Sequence, residues 1–359
     1  WGEPDEALRL LREEVLPVFE RLGDEHHRAV TLSLIADVLQ AWGQLDEALQ
    51  IRREEVLPVF KRPGDILHKA VTLSKIADVL QIRGQLDEAL QIFRYEVLPV
   101  LERLGDVRSR AVTRGKIADV LQAKGQLDEA LRIRREEELP VYERLGDERS
   151  VAVTRGKFAD VLQLRGQLDE ALRVHREEVL PIFERLGDVH RKAITMGKIA
   201  EILQARGQLD EALQIYRLEQ LPVYDRLGDV REKAITNGRI ADIFQARGQL
   251  DDALRIQRED VLPVYERLGD VRNKAATMYK IAALLHARGQ LDEPLRILRD
   301  LVLPVYERLG DMRSSAGAMT KLAEILVAQG QLDDALRILR NEVLPALTTL
   351  GDQHALLVT

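Results

Sequence analysis

One period of 41 residues runs the length of this 359-residue chain. Glycine recurs at Gly2, Gly43, Gly84, Gly125, Gly166, Gly207, Gly248, Gly289 and Gly330. A second series keeps the same spacing, from Gly23, Gly64, Gly105, Gly146 and Gly187 to Gly228, Gly269, Gly310 and Gly351. Self-similarity at a period of roughly 20–50 residues marks a stack of one supersecondary unit in which each copy packs on its neighbours. The expectation of two or three globular domains for this length is thereby replaced by one continuous solenoid over residues 1–359. Eight full units start at Gly2, Gly43, Gly84, Gly125, Gly166, Gly207, Gly248 and Gly289, and a partial ninth starts at Gly330.

Residues 125–165 show the unit. A first helix is predicted from about Gln126 to Leu145, with Leu127, Ala130, Leu131 and Ile133 at the spacing of an amphipathic helix. A second is predicted from about Asp147 to Arg165, with Val151, Ala152, Phe158, Ala159, Val161 and Leu162 facing inward. Asp147 suits an N-cap, accepting hydrogen bonds from the first free amides. Gly146 and Gly166 suit the left-handed position that closes a helix. Each unit also carries Leu-Pro deep in its first helix, at Pro17, Pro58, Pro99, Pro140, Pro181, Pro222, Pro263, Pro304 and Pro345. Proline removes one backbone hydrogen bond and clashes with the carbonyl four residues back, at about 3 kcal/mol. Its recurrence predicts a kinked but continuous helix, with a break followed by a separate turn as the alternative. Pro4 and Pro294 fall near a first turn, where proline is tolerated, and Pro63 falls at a helix end.

Composition excludes several chemistries. The 60 acidic and 53 basic residues are mixed along the chain, with a net charge of −7 and no basic block. That argues against a nucleic-acid partner. No apolar run approaches the ~18 residues of a membrane span. There is no cysteine, hence no disulfide and no thiolate chemistry. His26, His27, His68, His175, His190, His286 and His354 share no spacing that would assemble a metal site, and the His26-His27 pair reads as a surface loop. Arg-Gly-Lys at 114–116 and 155–157 lacks the preceding glycine and strand that a phosphate loop needs. Carboxylate pairs such as Asp46-Glu47 recur at the start of each first helix, where negative charge complements the dipole, so they are not one catalytic pair.

The stretch from Lys198 to Arg217, KIAEILQARGQLDEALQIYR, carries Ala200, Gly207, Ala212 and Leu213 at a turn between two helices. The same set recurs as Ala77, Gly84, Ala89 and Leu90, and as Ala241, Gly248, Ala253 and Leu254. This pattern resembles the tetratricopeptide repeat over the whole chain. It departs from that family in period, since the standard unit has 34 residues. The added residues fall in the Leu-Pro tail, for example Leu221 to Gly228, which is similar to the long-helix variants of kinesin-light-chain type and of bacterial signalling proteins. The resemblance implies an all-α, right-handed superhelix with a concave groove that binds a protein or peptide. It also implies that Asp78, Asp119, Asp160, Glu201, Asp242, Gln81, Gln122, Gln163, Gln204 and Gln245 line that groove.

Three columns of residues bear on that expectation. A cation recurs three residues before each acid, at Lys75, Lys116, Lys157, Lys198, Arg239, Lys280 and Lys321. Pairing within one helix at i, i+3 would account for both series at a few tenths of a kcal/mol each; presentation of a polar groove is the functional alternative. Gly115, Gly156, Gly197 and Gly238 sit inside second helices, where glycine costs about 1 kcal/mol against alanine. With neighbouring alanines they form a small-residue stripe that lets helices approach, or else a groove floor kept open. Arginine recurs at Arg12, Arg53, Arg94, Arg135, Arg176, Arg217, Arg258, Arg299 and Arg340, with an acid two residues on at most copies, which reads as a salt-bridge ladder between units. The residue just before it varies freely, from Arg52 and Phe93 to Arg134, His175, Tyr216, Gln257 and Leu298, which reads as exposure.

The chain opens at Trp1 and closes at Thr359 without a distinct capping helix, so it is expected to be part of a longer protein. No constellation breaks the periodicity. The expectation is therefore a non-catalytic, cytoplasmic scaffold with no cofactor, no metal and no catalytic residue. Its partner would be a protein or extended peptide, with no nucleic acid and no membrane, while homo-oligomer formation through the solenoid ends stays open. The alternative is a sensor, regulatory or oligomerisation arm of a larger bacterial signalling enzyme, such as a nucleotide-switch ATPase or protease.

Overall fold

A computed structural model describes residues 4–61 and 65–350. Trp1, Gly2, Pro63, Gly64, Gly351, His354 and Thr359, which enter the sequence reading, lie outside the described residues. The described chain is all-α and divides into two compact units, Trp1–Gly187 and Asp188–Thr359. The first holds α1 (4–22), α2 (Glu25–Ala41), α3 (45–60), α4 (Ile66–Ile82), α5 (86–103), α6 (Val107–Ala123), α7 (127–144), α8 (Glu148–Leu164) and α9 (168–185). The second holds α10 (Val189–Ala205), α11 (209–227), α12 (Val230–Ala246), α13 (250–267), α14 (Val271–Ala287), α15 (292–308), α16 (Met312–Ala328) and α17 (332–350). Within each unit, helix pairs stack in chain order as a solenoid.

The helix ends follow from local chemistry. Asp147 caps α8 by accepting a 3.0 Å hydrogen bond from the Ser150 amide. The equivalent aspartates Asp24, Asp106, Asp188, Asp229, Asp270 and Asp311 do the same at their helices, whereas Asp65 makes no such bond. Gly146 and Gly166 stand at φ 64° and 76°, where a side chain would be strained.

The Leu-Pro dipeptides neither break the helix nor sit in ordinary α geometry. In α7, residues Ile133–Glu138 form a π-helical segment that runs into Leu139–Arg144 with helical dihedrals at the junction. The Leu139 amide bonds to the Arg134 carbonyl five residues back. The same segment precedes every Leu-Pro from Leu10–Val15 to Leu339–Val343. The wide turn shifts the backbone bonding from the four-residue to the five-residue register, which relieves the clash expected between the pyrrolidine ring and the carbonyl four residues back. The expected continuous helix is present, and the π turn is its means.

Each unit buries a narrow aliphatic layer. In α6 the buried residues are Ala111, Thr113, Gly115, Ile117, Ala118, Val120 and Leu121; in α7 they begin with Ala130, Leu131 and Ile133. Small residues on the second helix bring its backbone close to the π segment of the next helix, and that close approach creates the site.

Candidate partner-binding surface

The charged ladder lies on the second helices and is built between repeats. Lys116 Nζ lies 2.6 Å from Asp78, Lys157 Nζ 2.7 Å from Asp119, and Lys280 Nζ 2.7 Å from Asp242. Lys75 reaches Asp37 at 2.6 Å, and Arg239 pairs with Glu201. Each cation thus reaches back 38 residues to the preceding repeat. The intrahelical i, i+3 pairing expected from sequence occurs at Lys198–Glu201 (3.2 Å) and at Lys321–Glu324. The difference has a steric basis, because close packing of successive second helices brings the preceding repeat's acid within a lysine's length. Asp78, Asp119, Asp160, Glu201 and Asp242 are half-buried, as are Gln81, Gln122, Gln163 and Gln204, whereas Gln245 is exposed.

The arginine column does bridge repeats, but its partners differ from those expected. Arg12 pairs with Glu47 (2.5 Å), Arg94 with Glu129 (2.5 Å), Arg258 with Glu293 (2.7 Å), and Arg53 with Glu88. The acceptor is the glutamate that opens the next first helix, 35 residues on, rather than the acid two residues away. The adjoining aspartate binds the base ending the following second helix, as in Asp46–Arg83 (2.9 Å) and Asp128–Arg165 (3.0 Å). The acidic pairs therefore join repeats as well as complementing dipoles.

The variable position before each arginine is not exposed. Arg52, Phe93, Arg134, Tyr216 and Leu298 are fully buried, with Gln257 at 1% and His175 at 2% exposure. These side chains occur in the π segments and enter the interface with the second helix before them. Arg52 donates to Asp37 (2.6 Å) and Gln40 (2.8 Å). Arg134 donates to Asp119 and, at 3.0 Å, to Glu138. Burial pushes the Tyr216 hydroxyl up from its ordinary pKa. Read as a column, these residues showed variability but no periodic partner, and the signal that would have found them is their fixed offset from Glu138 and Gln220.

Those two residues interrupt a valine column formed by Val56, Val97, Val179, Val261, Val302 and Val343. Glu138 is buried, with Thr154 donating to it at 3.0 Å, and its pKa is raised by desolvation against the opposing pull of Arg134. Gln220 donates to the Ala193 carbonyl (3.1 Å) and the Tyr224 hydroxyl (3.3 Å), and accepts from Thr236 (3.1 Å). The helical glycines explain how these polar tips fit. A Cβ at Gly115 would stand 2.6 Å from Glu138 Oε1, and one at Gly197 would stand 2.1 Å from Gln220 Nε2. The Gly156 Cβ position meets His175 at 3.9 Å, and the Gly238 position meets no atom within 4 Å. The glycines admit side chains from the neighbouring helix, so the small-residue stripe serves specific polar contacts.

Two cavities open beside these columns. One, of about 190 Å³, is lined by Arg134, Arg135, Thr154, Arg155, Phe158 and Glu178 among others, with the Arg135 guanidinium 5.0 Å from the Phe158 ring centre. The other, of about 300 Å³, lies at Gly238. The histidine pair corrects another expectation. His26 and His27 lie in the first turn of α2, not in a loop; the His26 ring centre is 5.0 Å from that of His68, and His27 stacks on Phe19. Among the described residues no group of three or more side chains is arranged to hold a metal, and no helix is long and apolar enough to cross a membrane.

Residues 150–218 match a tetratricopeptide repeat model, and residues 316–341 match another. No curated protein matches the chain in sequence. Among solved structures, the chain is similar to the apo form of the quorum sensor NprR from B. thuringiensis, at 15% identity and TM-score 0.60 over 96% of this chain and 98% of that one. It is similar to the Rap conjugation gene regulator of plasmid pLS20 in complex with the Phr* peptide, at 13% identity and TM-score 0.61 over 97% and 96%. It is also similar to a signal transduction ATPase with numerous domains from Pyrococcus horikoshii, bearing a tetratricopeptide repeat sensor, at 14% identity and TM-score 0.59 over 98% and 51%. At these identities the likeness is one of fold.

Proposed function

We propose that this tetratricopeptide-repeat protein is a non-catalytic binding scaffold that takes a protein or extended peptide along the face carrying its acid and glutamine ladder. The observation that carries the reading is the recurrence of one half-buried polar set on successive second helices. Asp78 with Gln81, Asp119 with Gln122, and Asp160 with Gln163 repeat every 41 residues. A regular array of donors and acceptors suits an extended chain better than one compact substrate. Asp78 and Asp119 are committed to lysines of the following repeats, so the glutamines are the adaptable members. The similar Rap regulator was solved with a peptide, which supports the same use of the fold here.

A test uses Q122K/Q163K, which leaves the inter-repeat ion pairs intact. Affinity capture with this variant should lose at least tenfold of any partner recovered by the parent protein, with the thermal midpoint unchanged. The control is E136K/E177K, at two exposed glutamates of α7 and α9. Loss confined to that control would place the partner on the first helices and overturn the proposal. The second reading, a sensor arm of a larger signalling enzyme, is favoured by the match of nearly the whole chain to about half of the Pyrococcus ATPase. A phosphate loop in the same open reading frame would support it.

A further inference from the structure

The cavity at Gly238 includes the space that a polar side chain fills one repeat earlier. In α10 and α11 the Gln220 carboxamide fills the space over Gly197, with the Ala193 carbonyl, the Tyr224 hydroxyl and the Thr236 hydroxyl as its partners. One period on, the corresponding residues are Ala234, Tyr265 and Thr277, and all three line the 300 Å³ cavity. Val261 stands where Gln220 would be, and it is too short to reach those groups. Gln257 also lines the cavity; it is 1% exposed and its Oε1 has no hydrogen-bond partner. A buried acceptor of that kind calls for a donor.

The residue before the recurring arginine lies one helical turn before the tip and forms part of its surroundings. In α7 it is Arg134, and the tip beside it is the carboxylate of Glu138. In α11 it is Tyr216, and the tip is the carboxamide of Gln220. In α13 it is Gln257, whose free oxygen joins the Ala234 carbonyl in offering acceptors. A carboxylate would present oxygen to both and be repelled. A primary carboxamide presents two N–H donors to these acceptors and one carbonyl to Thr277 or Lys280. The wall also includes Arg239, Asp242 and Lys280, so the cavity opens beside the charged ladder.

We propose that this cavity binds a primary carboxamide, the glutamine or asparagine side chain of a peptide held along the ladder of α12 and α14. The assignment of the source to a peptide rests on the scaffold reading above; the carboxamide chemistry does not. The full chain can be titrated by NMR with N-acetylglutamine N′-methylamide, free glutamine, and the blocked glutamate and norleucine analogues. The blocked glutamine should shift the Gln257 and Thr277 resonances saturably, with affinity at least tenfold above that of either analogue. V261Q should abolish the response, because it supplies the amide from within as Gln220 does. T277V, which leaves the apolar wall intact, should weaken it severalfold. Equal affinity for all blocked analogues, no response to any, or full binding by V261Q would overturn the site. Response to free glutamine without the blocked form would overturn the peptide source. Partner capture that depends on Gln122 and Gln163 but not on Val261 would likewise sever the cavity from the peptide while leaving the scaffold reading in place.

Discussion

Glu138 is a carboxylate kept out of water in a column otherwise filled mostly by valine, and its raised pKa states the cost of ionising it there. A group whose folded pKa is raised stabilises the fold fully below its ordinary pKa of 4.5 and loses that contribution as pH rises through the folded value. E138Q keeps an acceptor for Thr154 and removes the charge, and Gln220 shows that the fold tolerates a carboxamide in this position. Its thermal midpoint relative to the parent should therefore rise by a few degrees between pH 4 and pH 7. Asp106 and Asp147 move oppositely, since their capping hydrogen bonds hold their pKa values down, but both proteins share them and their effect cancels in the difference. A difference in midpoint that is flat across this range would refute the buried-charge account. At this scale the capping aspartates and closing glycines were legible in the sequence, because their chemistry is local. The buried column was not, because Arg134 and Gln257 are polar by type, and their burial comes from packing against the preceding second helix, where Asp119 meets Arg134.

At the scale of the element, the repeated Leu-Pro is reconciled with a continuous helix by the π segment before it. Periodicity over six residues cannot separate a π turn from an α turn, so the sequence predicted continuity without revealing the means. The π turn also sets which residues enter the interface. Arg134 and Glu138 both lie in the Ile133–Glu138 segment, and both are buried. If the wide turn already accommodates the ring, the proline itself contributes little to the folded state. P140A should change unfolding free energy by less than about 1 kcal/mol, whereas V112P, at an exposed position within the regular helix α6, should cost about 3 kcal/mol. Chemical denaturation of both variants distinguishes the cases. A P140A loss as large as that of V112P would mean that the proline, not the surrounding packing, holds the π turn.

At the scale of the molecule, ladder contacts are made between neighbouring repeats, so stability should behave as a sum of units and interfaces. Excision of residues 43–83 tests this within the first compact unit. It joins Trp42 to Gly84, hands Arg12 the glutamate Glu88 in place of Glu47, and hands Lys116 the acid Asp37 in place of Asp78. Every column is restored, so the shortened chain should unfold cooperatively with a modestly lower midpoint. Excision of residues 84–124 restores the same ladders but sets α4 against α7. Ser74 then takes the place of Gly115, where a Cβ would lie 2.6 Å from Glu138 Oε1. Glu138 is buried and hydrogen-bonded, so its tip cannot simply swing away; overpacking costs up to about 1–3 kcal/mol, or roughly 1–2 °C per kcal/mol in a chain of this size. The second deletion should therefore melt a few degrees below the first, and S74G in its background should recover most of the difference. Equal midpoints for the two deletions would show that the repeats are interchangeable. The glycine and the polar tip would then not form the matched pair that makes one repeat chemically distinct from the next.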